Sequence, residues 1–183
     1  MKPIGRMISW LNTGVSSVAS VLVLCLIVHV SLDVLMRYAF ERPLDATILY
    51  VSAFYMVAIA FLPLGVVEEN NGHIAVEVLA ERLPTSLQSV LLFIATLVTT
   101  IVTAFVAVRT GQEALAKYAA GAFSIEAGGK IITWPTYFFL PAGFGLMSLV
   151  SAWKLLAMVT GKDSGLRMLA IEDPYLSEDR PND

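Results

Sequence analysis

Four apolar stretches, each long enough to cross a lipid bilayer, leave this chain few ways to fold. A bilayer core asks for about 20 mainly apolar residues per helix. That length recurs from Val15 to Met36, Thr47 to Val67, Leu87 to Val108 and Pro135 to Met158. Lipid offers the backbone no hydrogen bonds, so each stretch has to be a helix that satisfies its own N–H and C=O groups. The connections between them are too short for a soluble domain. Residues 1–159 therefore read as a single four-helix membrane domain, all-α, followed by a polar, acidic tail over 160–183 that Pro174 and Pro181 interrupt. Only 15% of the 183 residues are charged, against roughly 25% in an ordinary soluble domain. The Lys and Arg residues are scattered and form no basic patch suited to nucleic acid. A lone Cys25 excludes an intrachain disulfide. The apolar run after Met1–Arg6 is too long for a signal peptide and has no convincing small-residue cleavage site, so it reads as an uncleaved first span.

Basic residues set the orientation. With both termini cytoplasmic, Lys2, Arg6, Arg82, Lys154, Lys162, Arg167 and Arg180 lie inside, against Arg37, Arg42, Arg109, Lys117 and Lys130 outside. The bias is small and favours both termini inside. Midway along the chain, residues 72–84 form a short amphipathic segment bounded by Gly72 and Pro84. Glu77 and Glu81 share a narrow face there, while Ile74, Val76, Val78, Leu79 and Leu83 cover most of the rest. It is expected to lie flat at the bilayer surface.

The most polar membrane stripe is Cys25, His29, Asp33 and Arg37, spaced by four along the first span. Ionisable groups at membrane depth are costly and often functional, which raises a proton or ion relay. The alternative, which the position near a helix end favours, is that Asp33 pairs with Arg37 one turn away and His29 meets a polar group on a neighbouring helix or on a partner. Spans two to four are expected to contribute no buried charge. The second is expected to end close to Val67, because Glu68 and Glu69 oppose the macrodipole at a helix C-terminus. Thr85 and Gln88 have capping-box spacing ahead of the third span. Its Thr96, Thr99, Thr100 and Thr103 are expected to bond their own helix backbone. Beyond Val108 the helix continues with Glu113 and Lys117 as an i,i+4 pair. The Gly-rich stretch from Ala119 to Thr133 reads equally as a partner-contact surface or a plain connection. Trp134-Pro135 opens the last span, where Pro141, Gly143 and Gly145 offer a kink and a small-residue face.

No phosphate-binding loop, paired-cysteine metal motif, nucleophile elbow or two-histidine zinc motif is present, so the chain does not read as an enzyme. A haem-carrying anchor would need axial histidines within helices, and only His29 lies at depth. A stand-alone proton-coupled transporter would have to work through Asp33 and His29.

Several phrases, in order and spaced around the four spans, resemble the small membrane subunit (DctQ type) of tripartite ATP-independent periplasmic, or TRAP, transporters. They are Arg37-Tyr38-Ala39-Phe40 with Arg42-Pro43-Leu44; Gly72-His73-Ile74-Ala75-Val76-Glu77 with Leu83-Pro84; and Trp134-Pro135-Thr136-Tyr137 with Leu140-Pro141-Ala142-Gly143-Phe144. The chain departs from many members at the entry to the second span. There it reads Asp45-Ala46-Thr47-Ile48-Leu49-Tyr50 in place of a Trp and paired acidic residues. The resemblance implies a division of labour. A soluble periplasmic protein captures an organic acid or related solute, and a large membrane subunit carries the substrate and Na+ sites. The small subunit is a fixed scaffold in the bacterial inner membrane, with no cofactor of its own. The residues expected to meet the partners are Asp33, Arg37, Arg42, Glu77, Glu81, Arg82, Lys117 and Lys130.

Overall fold

A computed structural model describes residues 2–70, 85–126 and 129–160. The amphipathic segment expected over 72–84, with Glu77, Glu81 and Arg82, and the acidic tail beyond Thr160 lie outside these residues. Among the described residues four helices are long and apolar enough to cross a membrane. They are α1 (Lys2–Phe40), α2 (Thr47–Glu69), α3 (Thr85–Ala119) and α4 (Phe139–Thr160). At 1.5 Å per residue α1 is about 58 Å long, nearly twice a bilayer core of about 30 Å. We call proximal the end where α1 begins and α4 finishes, and distal the opposite end.

The buried or half-buried face of α1 runs through Ile8, Asn12, Val15, Ala19, Leu22, Leu26, His29 and Asp33. Alternating steps of four and three keep one seam on a neighbouring helix, as in a coiled coil. Its middle is apolar, with Ala19 packed against Ala58 and Leu62 of α2 and half-buried Val15, Leu22 and Phe139 closing around them. The polar seam residues sit at the two ends. Cys25, one position off the seam, is exposed.

α2 is not uniform. It opens as an α-helical turn at Thr47–Leu49, widens to a π-helix over Tyr50–Tyr55, returns to α over Met56–Phe61, breaks at Leu62-Pro63 and finishes as Leu64–Glu69. The break follows from Pro63, which has no N–H to donate and whose ring clashes with the carbonyl four residues back. A new segment starts there, with the Val66 and Val67 N–H groups donating to Pro63 O at 2.9 and 3.1 Å. α2 runs past Val67, the expected end, because Glu68 and Glu69 turn into the bundle and are buried there.

α3 and α4 pack along much of their length. Of the four threonines of α3 expected to bond their own backbone, three do: Thr96 donates to Leu92 O at 2.8 Å, Thr100 to Thr96 O at 2.7 Å and Thr103 to Thr99 O at 2.7 Å. Gly143 of α4 lies directly on the Phe61 carbonyl of α2, where a Cβ would have no room. Gly145 meets nothing, so of the two glycines only Gly143 marks a close helix contact. α4 passes Pro141 as one unbroken helix, since this proline lies in its first turn.

Between α3 and α4 the chain forms a β-hairpin, β1 (Phe123–Glu126) antiparallel to β2 (Gly129–Ile132), pairing Phe123 with Ile132 and Ile125 with Lys130. Two strands thus occupy the stretch whose sequence left its form open. The hairpin starts where Gly121 takes φ 61°. Ala122 N donates to Lys117 O and Gly121 N to Tyr118 O, both at 3.0 Å, the double hydrogen bond of a Schellman helix end. Thr133 N and Trp134 N both reach Ala122 O, closing the base. Trp134 then sets its ring edge-to-face on Tyr118, 4.8 Å between centroids.

Candidate functional site: two polar junctions

At the distal end Asp33 is buried and holds the α1–α2 turn. Its Oδ1 accepts the Leu44 N–H at 2.8 Å and lies 3.2 Å from the Thr47 hydroxyl, and its Oδ2 accepts from Arg37 at 3.4 Å. The turn demands such an anchor, because Glu41 and Ala46 both adopt positive φ, 55° and 59°, which side chains other than glycine rarely take. Asp33 therefore satisfies donors at the start of α2, where an anion also meets the positive end of the helix dipole. Arg37 and Arg42 are exposed beside it. One turn along α1, His29 packs between Tyr50 and Tyr55, its Nδ1 3.5 Å from the Tyr55 hydroxyl. Both tyrosines belong to the π-helical stretch, and no sequence signal marks that widening. The neighbour expected for His29 is thus Tyr55 on α2.

Lys117 and Lys130 stand at the base and on the second strand of the hairpin. Lys117 pairs with Glu113 at 3.4 Å and lies 5.7 Å from the Tyr137 ring centre, and Lys130 lies 4.1 Å above the ring of Phe123. Phe123, Ile125 and Ile132 are exposed around them. The structure brings Asp33 and Arg37 together; it places Lys117 and Lys130 in a separate cluster with the hairpin.

The proximal junction corrects the expectation that spans two to four bury no charge. Glu68 and Glu69 of α2 and Lys154 of α4 are all buried, 5%, 4% and 6% exposed. The Lys154 ammonium donates to the Glu68 main-chain carbonyl and pairs with its carboxylate, Oε1, at 3.4 Å. A lysine on the last carbonyls of α2 is what allows that helix to end in two acids. From α1, the Asn12 amide donates to Gly65 O at 3.2 Å and to Glu69 Oε2 at 2.9 Å. Gly65 leaves the space for this: a Cβ there would come within 2.5 Å of Asn12 Oδ1. Sequence reasoning missed the junction because a Glu-Glu-Asn-Asn-Gly run has the composition of a turn and Lys154 that of a boundary residue. The available signal was Asn12, a polar residue on the three-four spacing that includes Ala19, His29 and Asp33.

Between these ends an apolar cleft of about 670 Å³, broadly open, lies among Val15, Leu62, Thr100, Pro141 and Leu149. Among the described residues no charged side chain lines it. Among the described residues no group of three His, Cys, Asp or Glu side chains gathers to hold a metal.

The Asp33 contacts make a test. Asp33→Asn keeps the size but removes the charge that Leu44 N–H, Thr47 and Arg37 face. Hydrogen bonds to charged groups contribute about 1.5–3 kcal/mol, and a loss in that range is expected as a lower melting midpoint of the purified protein. An unchanged midpoint would show that the turn does not depend on the carboxylate.

Among the described residues four membrane-length helices are tied to one another by buried charged groups, which defines a multi-span membrane protein. The model of the DctQ component of tripartite ATP-independent periplasmic transporters matches residues 26–161, and the chain belongs to that family of transporter subunits. Neither a curated protein nor a solved structure matches it.

Proposed function

We propose that the chain is the small permease subunit of a sodium-coupled TRAP secondary transporter in the bacterial inner membrane. Residues 1–159 form its membrane unit, with both termini cytoplasmic and the acidic tail outside it. It scaffolds the large membrane subunit, which holds the Na+ and solute sites, and helps dock a periplasmic protein that captures an organic acid or related solute. Family membership supports the subunit role. The observation that carries the scaffold role is the engagement of Asp33: a carboxylate that holds a main-chain N–H, a hydroxyl and a guanidinium is occupied as a structural tie. The long apolar faces of α1 and α3 leave ample surface for lipid and for a large membrane partner. At the distal end the exposed hairpin, with Lys117 and Lys130 set against aromatic rings, offers a basic and apolar face to a soluble partner.

The test is co-purification. The tagged chain, expressed with the large membrane protein and extracted in mild detergent, is expected to migrate with it as one stoichiometric complex. Solute uptake into liposomes should need both, together with the binding protein. Uptake by this chain alone, abolished by Asp33→Asn, would instead make it a stand-alone proton-coupled transporter and end the scaffold reading.

A further inference from the structure

The π-helical turn of α2 begins at Tyr50 and ends at Tyr55, and these two tyrosines lie on one imidazole, that of His29 on α1. Their ring centroids are 6.0 and 5.7 Å from the His29 ring, and the Tyr55 hydroxyl is 3.5 Å from its Nδ1. Backbone geometry makes the double contact informative. At 3.6 residues per turn, side chains five positions apart on an α-helix point about 140° away from each other, too far to share one ring. A π-turn bonds residue i to residue i+5, as Met56 N does to Val51 O, and so brings the fifth residue back over the first. The wide turn and the shared contact with His29 require each other.

A π-turn holds one residue more than an α-helix would over the same path, and such turns are rare and mostly single. Drawing that residue into α geometry rotates everything before it by about 100° around the helix axis. What comes before it is the distal joint. The Thr47 hydroxyl lies 3.2 Å from Asp33 Oδ1, and the Leu44 N–H donates to the same oxygen at 2.8 Å. A rotation of that size takes Thr47 off Asp33 and swings the turn with its exposed Arg42.

We propose that His29 is a latch on the register of α2. With the imidazole between Tyr50 and Tyr55, α2 stays in the π register, in which Thr47 and Leu44 meet Asp33. Without the ring, α2 rewinds to a plain α-helix and releases the distal turn. His29 is thus a positioning residue for Asp33, acting across the helix pair through α2 and not along α1. The latch is a property of this chain alone and stands whether or not the transporter reading holds.

The experiment follows hydrogen exchange of the Leu44 amide by NMR, in the full chain purified in detergent. His29→Ala is expected to speed that exchange at least about tenfold, as the loss of a hydrogen bond to a carboxylate dictates. His29→Phe, which keeps a flat ring between the tyrosines, should stay near the wild-type rate. Deleting Ser52, an exposed residue of the π-turn whose hydroxyl bonds Ile48 O of its own helix, removes the extra residue and leaves Thr47 in phase with Asp33. In that background Leu44 should exchange slowly and His29→Ala should change nothing. Equal Leu44 exchange in the wild type and His29→Ala would overturn the proposal. So would fast exchange of His29→Ala in both backgrounds, which would make His29 an ordinary packing residue. Should His29→Ala fail to fold, recovery of folding on deletion of Ser52 supports the latch, and failure in both backgrounds overturns it.

Discussion

Lys154→Met is expected to be the most damaging single change among the described residues. The variant keeps the length and apolar body of the side chain and removes its ammonium, so Glu68 loses its cation while remaining buried, and its main-chain carbonyl loses a donor. Removing one member of a buried ion pair costs about 3–5 kcal/mol, because the other charge stays behind without compensation. In detergent this should read as a large fall in melting midpoint, or as loss of the monodisperse peak on gel filtration. Adding Glu68→Gln removes the stranded charge, and the double variant is expected to recover most of the loss. The remainder belongs to the other contacts of Lys154, the Glu68 carbonyl and the nearby Glu69 charge among them, and the double-mutant cycle separates the ion pair from these. A single variant that melts like the wild type would mean that the ammonium contributes nothing to the α2–α4 joint.

Gly143→Ala should rank next. One methyl group is a small addition in most places, but here it points at the Phe61 carbonyl oxygen, and the neighbour is backbone, which cannot rotate aside. α4 would have to move off α2 just where the latter breaks at Pro63. Overpacking costs typically about 1–3 kcal/mol, and a main-chain obstacle argues for the upper part of that range. Gly145→Ala is the matched control. It lies two residues along the same helix with nothing within 4 Å of the added carbon, and should leave the midpoint unchanged or slightly raised, alanine being the better helix former. If both variants melt alike, the close approach at Gly143 has no energetic weight.

The sequence made the four spans legible because lipid removes the ambiguity that short apolar runs carry in water. Twenty apolar residues have one solution in a bilayer. The self-bonding threonines and the Glu113–Lys117 pair were legible for a related reason, since both depend on contacts within one helix. What stayed hidden depends on contacts between helices. Glu68 and Glu69 look like the start of a loop until Lys154, some 86 residues later, is seen to meet them. The π-helical turn at Tyr50–Tyr55 leaves no local signature, and the hairpin was hidden by its glycines, which suit a loop as well as a tight strand connection. Of the residues singled out as partner contacts, Asp33 and Arg37 meet each other, and Lys117 and Lys130 cluster with the hairpin.

The seam of α1 has a mechanical consequence. Two helices in contact through apolar side chains can slide, because a shift by one turn exchanges one aliphatic contact for another. Asn12 and Asp33 lie about 32 Å apart along the axis at 1.5 Å per residue, and each is engaged with a different end of α2. Any slip of the pair would break both sets of bonds at once, and a tilt that kept one would strain the other. The α1–α2 hairpin is pinned like a ruler clamped at both ends, and a neighbour that moves within the membrane can move against it without carrying it along.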